Sequence, residues 1–213
     1  MKKHRVFLAV VILFFAGAAY VLGWSTFFTV SAVEIKGTSA TMSSSVIVGE
    51  KLARVEPRAI AADFERFSWI KSAQVSRNWI NGKVTITLTD RVPVAIYNDR
   101  AIDADGASFP VPIKNIENLP RIQAATIESA ISASTFFVAL PEDIADIVRL
   151  VKVRGGESYV LEIIDGTKSL EVIWGQNDEN NLKAKVYKAL LAQPENAKIH
   201  RLDLTAPHAP IVK

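Results

Sequence analysis

Along the chain, apolar positions first run unbroken, then recur every three or four residues, and then alternate. Residues 6–28 carry no charge and follow the basic start Lys2, Lys3, Arg5. About 20 apolar residues cross a hydrocarbon core of roughly 30 Å as a helix, so this run predicts a membrane anchor. Tyr20, Trp24, Phe27 and Phe28 gather at its far end, as an interfacial aromatic belt does. The basic start predicts a cytoplasmic tail (1–5), an anchor (6–27) and a C-terminal remainder outside, a single-pass type II arrangement. A cleaved signal peptide shares the basic start and the small residues Ala16-Gly17-Ala18-Ala19, but here the apolar run continues through Trp24, which favours the anchor.

Beyond the anchor, Val33 and Ile35 alternate in a short strand ending at Gly37. The Ser/Thr-rich stretch after it offers N-caps for a helix over 46–55, and Pro57 opens a second helix to about 67 with an Ile60, Phe64, Phe67 stripe. Core packing is the reading of that stripe. Period two returns over 71–79, Asn81-Gly82 predicts a hairpin, and residues 83–89 return with Val84, Ile86 and Leu88 inward. Strand, two helices and two strands make a small α+β layer.

Further strands are predicted at 94–97 and 101–103, with turns at Asn98-Asp99 and Asp105-Gly106 and a proline-bearing loop over 109–120. A helix over 126–140 stops at Pro141. Strands at 148–153, 159–164 and 169–174 form an antiparallel meander, joined by Gly155-Gly156 and Asp165-Gly166. A helix over 180–191 is expected to bury Leu182, Val186, Ala189 and Leu190 and to leave Lys183, Lys185 and Lys188 outside. A last strand at 199–204 precedes Ala206-Pro207 and an extended piece, 210–212.

Composition narrows the chemistry. The chain has 213 residues, a formal net charge of +3 and no cysteine, which excludes disulfides, thiolate metal sites and thiol nucleophiles. No basic block interleaved with aromatics points to nucleic acid. Asp103-Ala104-Asp105-Gly106 begins like a calcium loop, yet Ala101 and Pro112 occupy positions that need ligands, so it is a turn. His4, His200 and His208 lack ligand spacing, and His4 lies across the expected membrane. Neither G-x-S-x-G nor a paired S-x-x-K signature occurs, Gly155-Gly156 joins strands instead of opening a helix, and Glu142-Asp143 has no opposing carboxylate. The reading is no enzyme, no cofactor and no metal.

Three words then carry a resemblance. They are Trp69-Ile70-Lys71-Ser72-Ala73-Gln74-Val75-Ser76-Arg77-Asn78-Trp79, Asp90-Arg91-Val92-Pro93-Val94-Ala95 and Ile102-Asp103-Ala104-Asp105-Gly106. In this order behind a single anchor the chain resembles the FtsQ/DivIB family of bacterial cell-division proteins. The family's first word reads W-V-x-x-A-x-V-x-R and its second E-R-x-P-V-A. Here Ile80-Asn81-Gly82 replaces a proline turn and Asp90 replaces a glutamate.

The resemblance implies a POTRA domain of β-α-α-β-β order over 28–96 and a mainly antiparallel C-terminal β domain over 97–213. It implies a non-enzymatic divisome scaffold at the division septum of the cytoplasmic membrane. Its β domain would bind FtsB-like and FtsL-like partners partly by strand addition, among other divisome membrane proteins. On that basis Leu202, Asp203, Leu204, Ala206, Pro210, Ile211 and Val212 are the expected partner contacts, with Lys183 and Tyr187 beside them. Arg77, Asp90, Arg91 and Pro93 are family words assigned mainly to fold. Proline near the last strand marks it as an exposed edge, which is the same expectation reached from backbone chemistry. POTRA domains also occur in envelope assembly and transport accessories, and an exported accessory of that kind is the alternative, although this chain has one such module and no room for a barrel.

Overall fold

The computed structural model describes residues 2–23, 28–111, 116, 118–166 and 168–213. Helix α1 spans Lys2–Gly23. Among the described residues no helix is long and apolar enough to cross a membrane. The expected anchor continues into residues 24–27, which lie outside the described residues. The rest forms two units that divide between Arg91 and Val92.

The first unit is a three-stranded sheet of order β1-β3-β2, with β1 at Ala32–Lys36, β2 at Ile70–Arg77 and β3 at Lys83–Asp90. β1 runs parallel to β3 and β2 antiparallel to it. Val84, Ile86 and Leu88 are buried as the alternation predicts, each stabilising the unit by roughly 1.5–3 kcal/mol. Helix α2, Pro57–Glu65, has proline in its first turn and sets Ile60 and Phe64 into this core, while Phe67 lies past its end and is exposed.

The helix expected over 46–55 does not form. Gly49 holds φ +93°, and the backbone there pairs with the approach to β1: Gly49 N–H donates to the Val30 carbonyl (2.8 Å), Val30 N–H to Glu50 (2.7 Å) and Leu52 N–H to Phe28 (3.0 Å). These bonds take up donors and acceptors that a helix would have used internally. Leu52 and Val55 reach the core from this non-helical stretch. The unit is therefore β-α-β-β in its described elements, not β-α-α-β-β.

The second unit is one nine-stranded sheet of order β12-β11-β10-β9-β8-β7-β4-β5-β6. In chain order it holds β4 (Pro93–Tyr97), β5 (Arg100–Asp103), β6 (Ser108–Pro110) and β7 (Arg121–Gln123). Helices α3 (Ile127–Val138) and α4 (Glu142–Ala145) precede β8 (Val148–Arg154), β9 (Ser158–Asp165) and β10 (Lys168–Gly175). Helix α5 (Asn180–Leu191) leads to β11 (Arg201–Asp203) and β12 (Ile211–Val212). β4 pairs with β5 and β7, so it belongs to this sheet and the units divide ahead of the expected 96/97 boundary.

β6 and β7 fall where a loop was expected over 109–120 and just beyond it. β7 runs parallel to both β4 and β8 and joins the early strands to the meander. The β8-β9-β10 meander is antiparallel, as predicted. Thr126 caps α3 by accepting from Ser129 N–H (3.3 Å), and Ala130, Ala133 and Phe136 enter the core, where Phe136 stacks on Tyr159 at 4.1 Å.

Helix α5 has the predicted span but a different buried face. Lys183, Ala184 and Tyr187 are buried, whereas Leu182, Val186 and Leu190 are half-buried and Ala189 is exposed. Lys183, expected outside, is 1 % exposed; its ammonium pairs with Asp178 and donates to the Gln176 carbonyl at 3.0 Å. A buried ammonium persists where a carboxylate and a carbonyl replace its water.

A candidate partner-binding edge

The end of the large sheet is built by a parallel pair and a short return. β11 lies parallel to β10 in the register Glu171↔Arg201, Val172↔Leu202, Ile173↔Asp203. Leu202 and Leu204 are fully buried and share the core with Tyr187 and Trp174, and Leu204 N–H donates to the Ile173 carbonyl at 2.8 Å. The chain turns at once. Asp203 Oδ1 accepts from Thr205 N–H (3.0 Å), and Ala209 N–H donates to the Ala206 carbonyl (2.9 Å). Gly175 allows this corner to close: at φ +81°, a Cβ there would stand 3.3 Å from Thr205 Cα.

β12 then pairs antiparallel with β11, Leu202↔Val212 and Asp203↔Ile211. Arg201 and Lys213 exchange both backbone hydrogen bonds, at 3.0 and 2.9 Å. In an antiparallel ladder the next pair does not exchange bonds, so the N–H and C=O of Val212 point to the open side of the sheet. Pro210 falls in the same outward phase, where its missing N–H leaves no gap in the ladder. Among the described residues no strand pairs on that side, since β12 stands last in the sheet order.

The two faces of this edge differ. Leu202 and Leu204 face the core. On the other face Ile173, Arg201, Asp203, Ile211 and Lys213 line a shallow depression of about 140 Å³. Arg201 Nε lies 3.3 Å from Glu171, which also faces Lys152 at 3.9 Å, and Lys152 in turn pairs with Glu162, so on that face two central carboxylates, on β9 and β10, lie between cations on β8 and β11. Ile211 and Val212 are exposed, 55 % and 38 %.

The expected contacts therefore separate into three kinds. Asp203, Pro210, Ile211 and Val212 come together at the edge, with Ala206 exposed on the corner beside them. Leu202 and Leu204 supply backbone and packing. Lys183 and Tyr187 are buried in α5; they position the helix against the sheet and present no side-chain surface.

The POTRA words are spread over the first unit and the start of the second. Arg77 Nη1 donates to the carbonyls of Leu52 (3.0 Å) and Val55 (2.7 Å), and its guanidinium lies 5.3 Å from the Trp79 ring centroid. Arg77 is a brace for the 52–55 stretch, a role that the unexpected loop creates. Asp90 and Arg91 lie at the opposite end of β3, where Asp90 pairs with Ile70 and Arg91 Nε donates to the Ser68 carbonyl at 3.1 Å. Pro93 opens β4 opposite Asp103. Asp103 is buried and accepts from Asp105 N–H (3.0 Å) and Ala107 N–H (2.8 Å), so the third word is a self-capped turn. Among the described residues no group of three His, Asp or Glu side chains could hold a metal.

Comparison with known proteins agrees with this architecture. Residues 28–91 match the family model described as POTRA domain, FtsQ-type. The cell division protein FtsQ of Streptomyces venezuelae is 30 % identical over 226 residues, covering 94 % of this chain and 80 % of that protein. The proteins of the same name from Streptomyces collinus and Salinibacter ruber are 26 % and 27 % identical, covering 99 % and 73 % of this chain and 87 % and 69 % of their own lengths. With a matching domain in its first unit and relatives that span both, the chain belongs to the FtsQ family of cell-division proteins.

Proposed function

We propose that this protein is a membrane-anchored, non-enzymatic scaffold of the divisome, acting outside the cytoplasmic membrane at the septum. The observation that carries the reading is the open side of β12, where Val212 offers a donor and an acceptor with no strand beyond it among the described residues. An FtsB-like partner adds an extended segment there, and an FtsL-like protein joins through that partner. Backbone pairing supplies affinity, while Ile211 and the depression between Arg201, Asp203 and Lys213 select side chains on the added strand. The uncharged run over 6–28 supports the anchor, since it continues past the described helix.

Deleting residues 205–213 from the full chain tests this. Capture of the FtsB-like partner should be lost in a pull-down while the protein still fractionates with membranes; retained capture would sink the assignment. A fluorescent fusion of the full chain should form a midcell band, and depletion should give filaments.

A further inference from the structure

The parallel register of the first sheet has a topological result. Ala32, the first residue of β1, pairs with Lys83, the first residue of β3. The β2–β3 turn is therefore at the end of the unit where the chain arrives from its N-terminal apolar run. It is locked there. Ser31 N–H donates to the Gly82 carbonyl (2.9 Å), Ser31 Oγ donates to the Asn81 carbonyl (2.6 Å), and a Cβ on Gly82 would stand 2.5 Å from the Thr29 carbonyl oxygen.

The same end carries apolar side chains that stand exposed among the described residues. Ile80, at the tip of the turn, is 99 % exposed, and Trp79 beside it is 37 % exposed and packs edge-on against Phe28 at 6.0 Å. Ile47 and Val48 are 69 % and 62 % exposed on a turn whose last two residues, Gly49 and Glu50, bond to Val30. Glu50 and Lys51 follow that turn with opposite charges, and Lys83, at the base of the β2–β3 turn, is paired with Glu34 at 2.7 Å.

Chain length says what lies against this end. From Gly23, the last residue of α1, to Phe28 there are five residue steps, which span about 18 Å at most. A tip held beside Phe28 cannot leave the neighbourhood of the membrane once the run before it is inserted, and aromatic side chains favour the interfacial layer.

We propose that the β2–β3 turn, through Ile80 and Trp79, with Ile47 and Val48 alongside, is a second membrane contact that enters the lipid headgroup layer and fixes the tilt of the POTRA unit. The inference rests on the anchor reading above. Its partner is the lipid surface itself, by apolar insertion of a kind that anchored interfacial groups make.

The chain has no cysteine, so single probes can be placed at will. Ile80→Cys and, at the other end of β2, Ser68→Cys would each be labelled with an environment-sensitive fluorophore. Both would be made in the full chain reconstituted into vesicles of phosphatidylethanolamine and phosphatidylglycerol. The probe at 80 should shift to the blue and be quenched by nitroxide lipids, and the probe at 68 should do neither. A vesicle-bound protein whose probe at 80 emits as in water and escapes quenching overturns the proposal alone. A protein that fails to float with the vesicles overturns the anchor reading and this proposal with it.

Discussion

Val212 stands opposite Leu202 across the last ladder of the large sheet, its side chain half exposed and its backbone N–H and C=O turned outward. That phase makes residue 212 the place where a partner strand and the fold can be separated experimentally. Val212→Pro removes the outward donor without touching the bonds between Lys213 and Arg201. Affinity for the FtsB-like partner should fall about tenfold or more, which corresponds to ~1.4 kcal/mol, while the denaturation midpoint of the second unit stays unchanged. Val212→Ala keeps the donor and should bind nearly as well as the parent. Titration of the two variants side by side checks the order.

Lys183 and Asp178 form an ion pair with one buried and one exposed member. Removing the two partners should have unequal effects. Lys183→Met keeps the volume and frees an exposed carboxylate, so stability should change by less than about 1 kcal/mol. Asp178→Ala leaves the ammonium buried with the Gln176 carbonyl, at about 2 kcal/mol, less than for a pair buried on both sides because water reaches it from the Asp178 side. Urea unfolding of the second unit measures both.

Arg77 holds two carbonyls through one nitrogen, Nη1, and sets a planar guanidinium over Trp79. A lysine ammonium has donors enough for both carbonyls but is shorter and lacks the planar face. Arg77→Lys should cost about 1.5 kcal/mol and Arg77→Ala about 3 kcal/mol, both in the first unit alone. Hydrogen exchange at the Leu52 amide, which donates to Phe28, should speed up in the same order.

Asp143 of α4 pairs with Lys188 of α5, and the hydrogen bond from that ammonium holds its carboxyl below the usual aspartate value. A carboxyl depressed in the folded state stabilises it above the unfolded value, near pH 4, and loses that contribution as pH falls through the folded value. Asp143→Asn should therefore lower stability by a constant amount above about pH 5, with the difference from the parent shrinking below about pH 4. Carboxyl titration of the Lys188→Ala protein should return Asp143 towards its ordinary value.

Elements with their own periodicity were legible in the chain, and elements defined by a partner were not. The alternation of Val84, Ile86 and Leu88 and the span of the helix from Asn180 to Leu191 needed only local pattern. β7 has three residues and one buried side chain, Ile122, so no alternation can mark it; its existence depends on β4 and β8 lying on either side. The 46–55 stretch reads as a helix because the Ser/Thr-rich segment before it offers N-caps, and the competing backbone partners, Phe28 and Val30, are far away in sequence. The apolar stripe Leu182, Val186, Ala189, Leu190 leaves Lys183 outside, yet Lys183 lies four residues before Tyr187 on the packed face, and Asp178 is the nearby carboxylate that meets its charge. At the edge, proline at 210 was legible as a mark of an outward ladder position, but the burial of Leu202 and Leu204 required the parallel neighbour β10.

The position of β12 also sets a timetable. It is the last strand of the sheet and the last of the described strands along the chain, and it rests on β11, which rests on β10 and the meander before it. A protein emerging vectorially can shape the first unit and most of the second while this edge does not yet exist. The edge proposed to take a partner strand is therefore completed only after the domain beneath it has folded, so on that proposal immature copies would be blank to the partner.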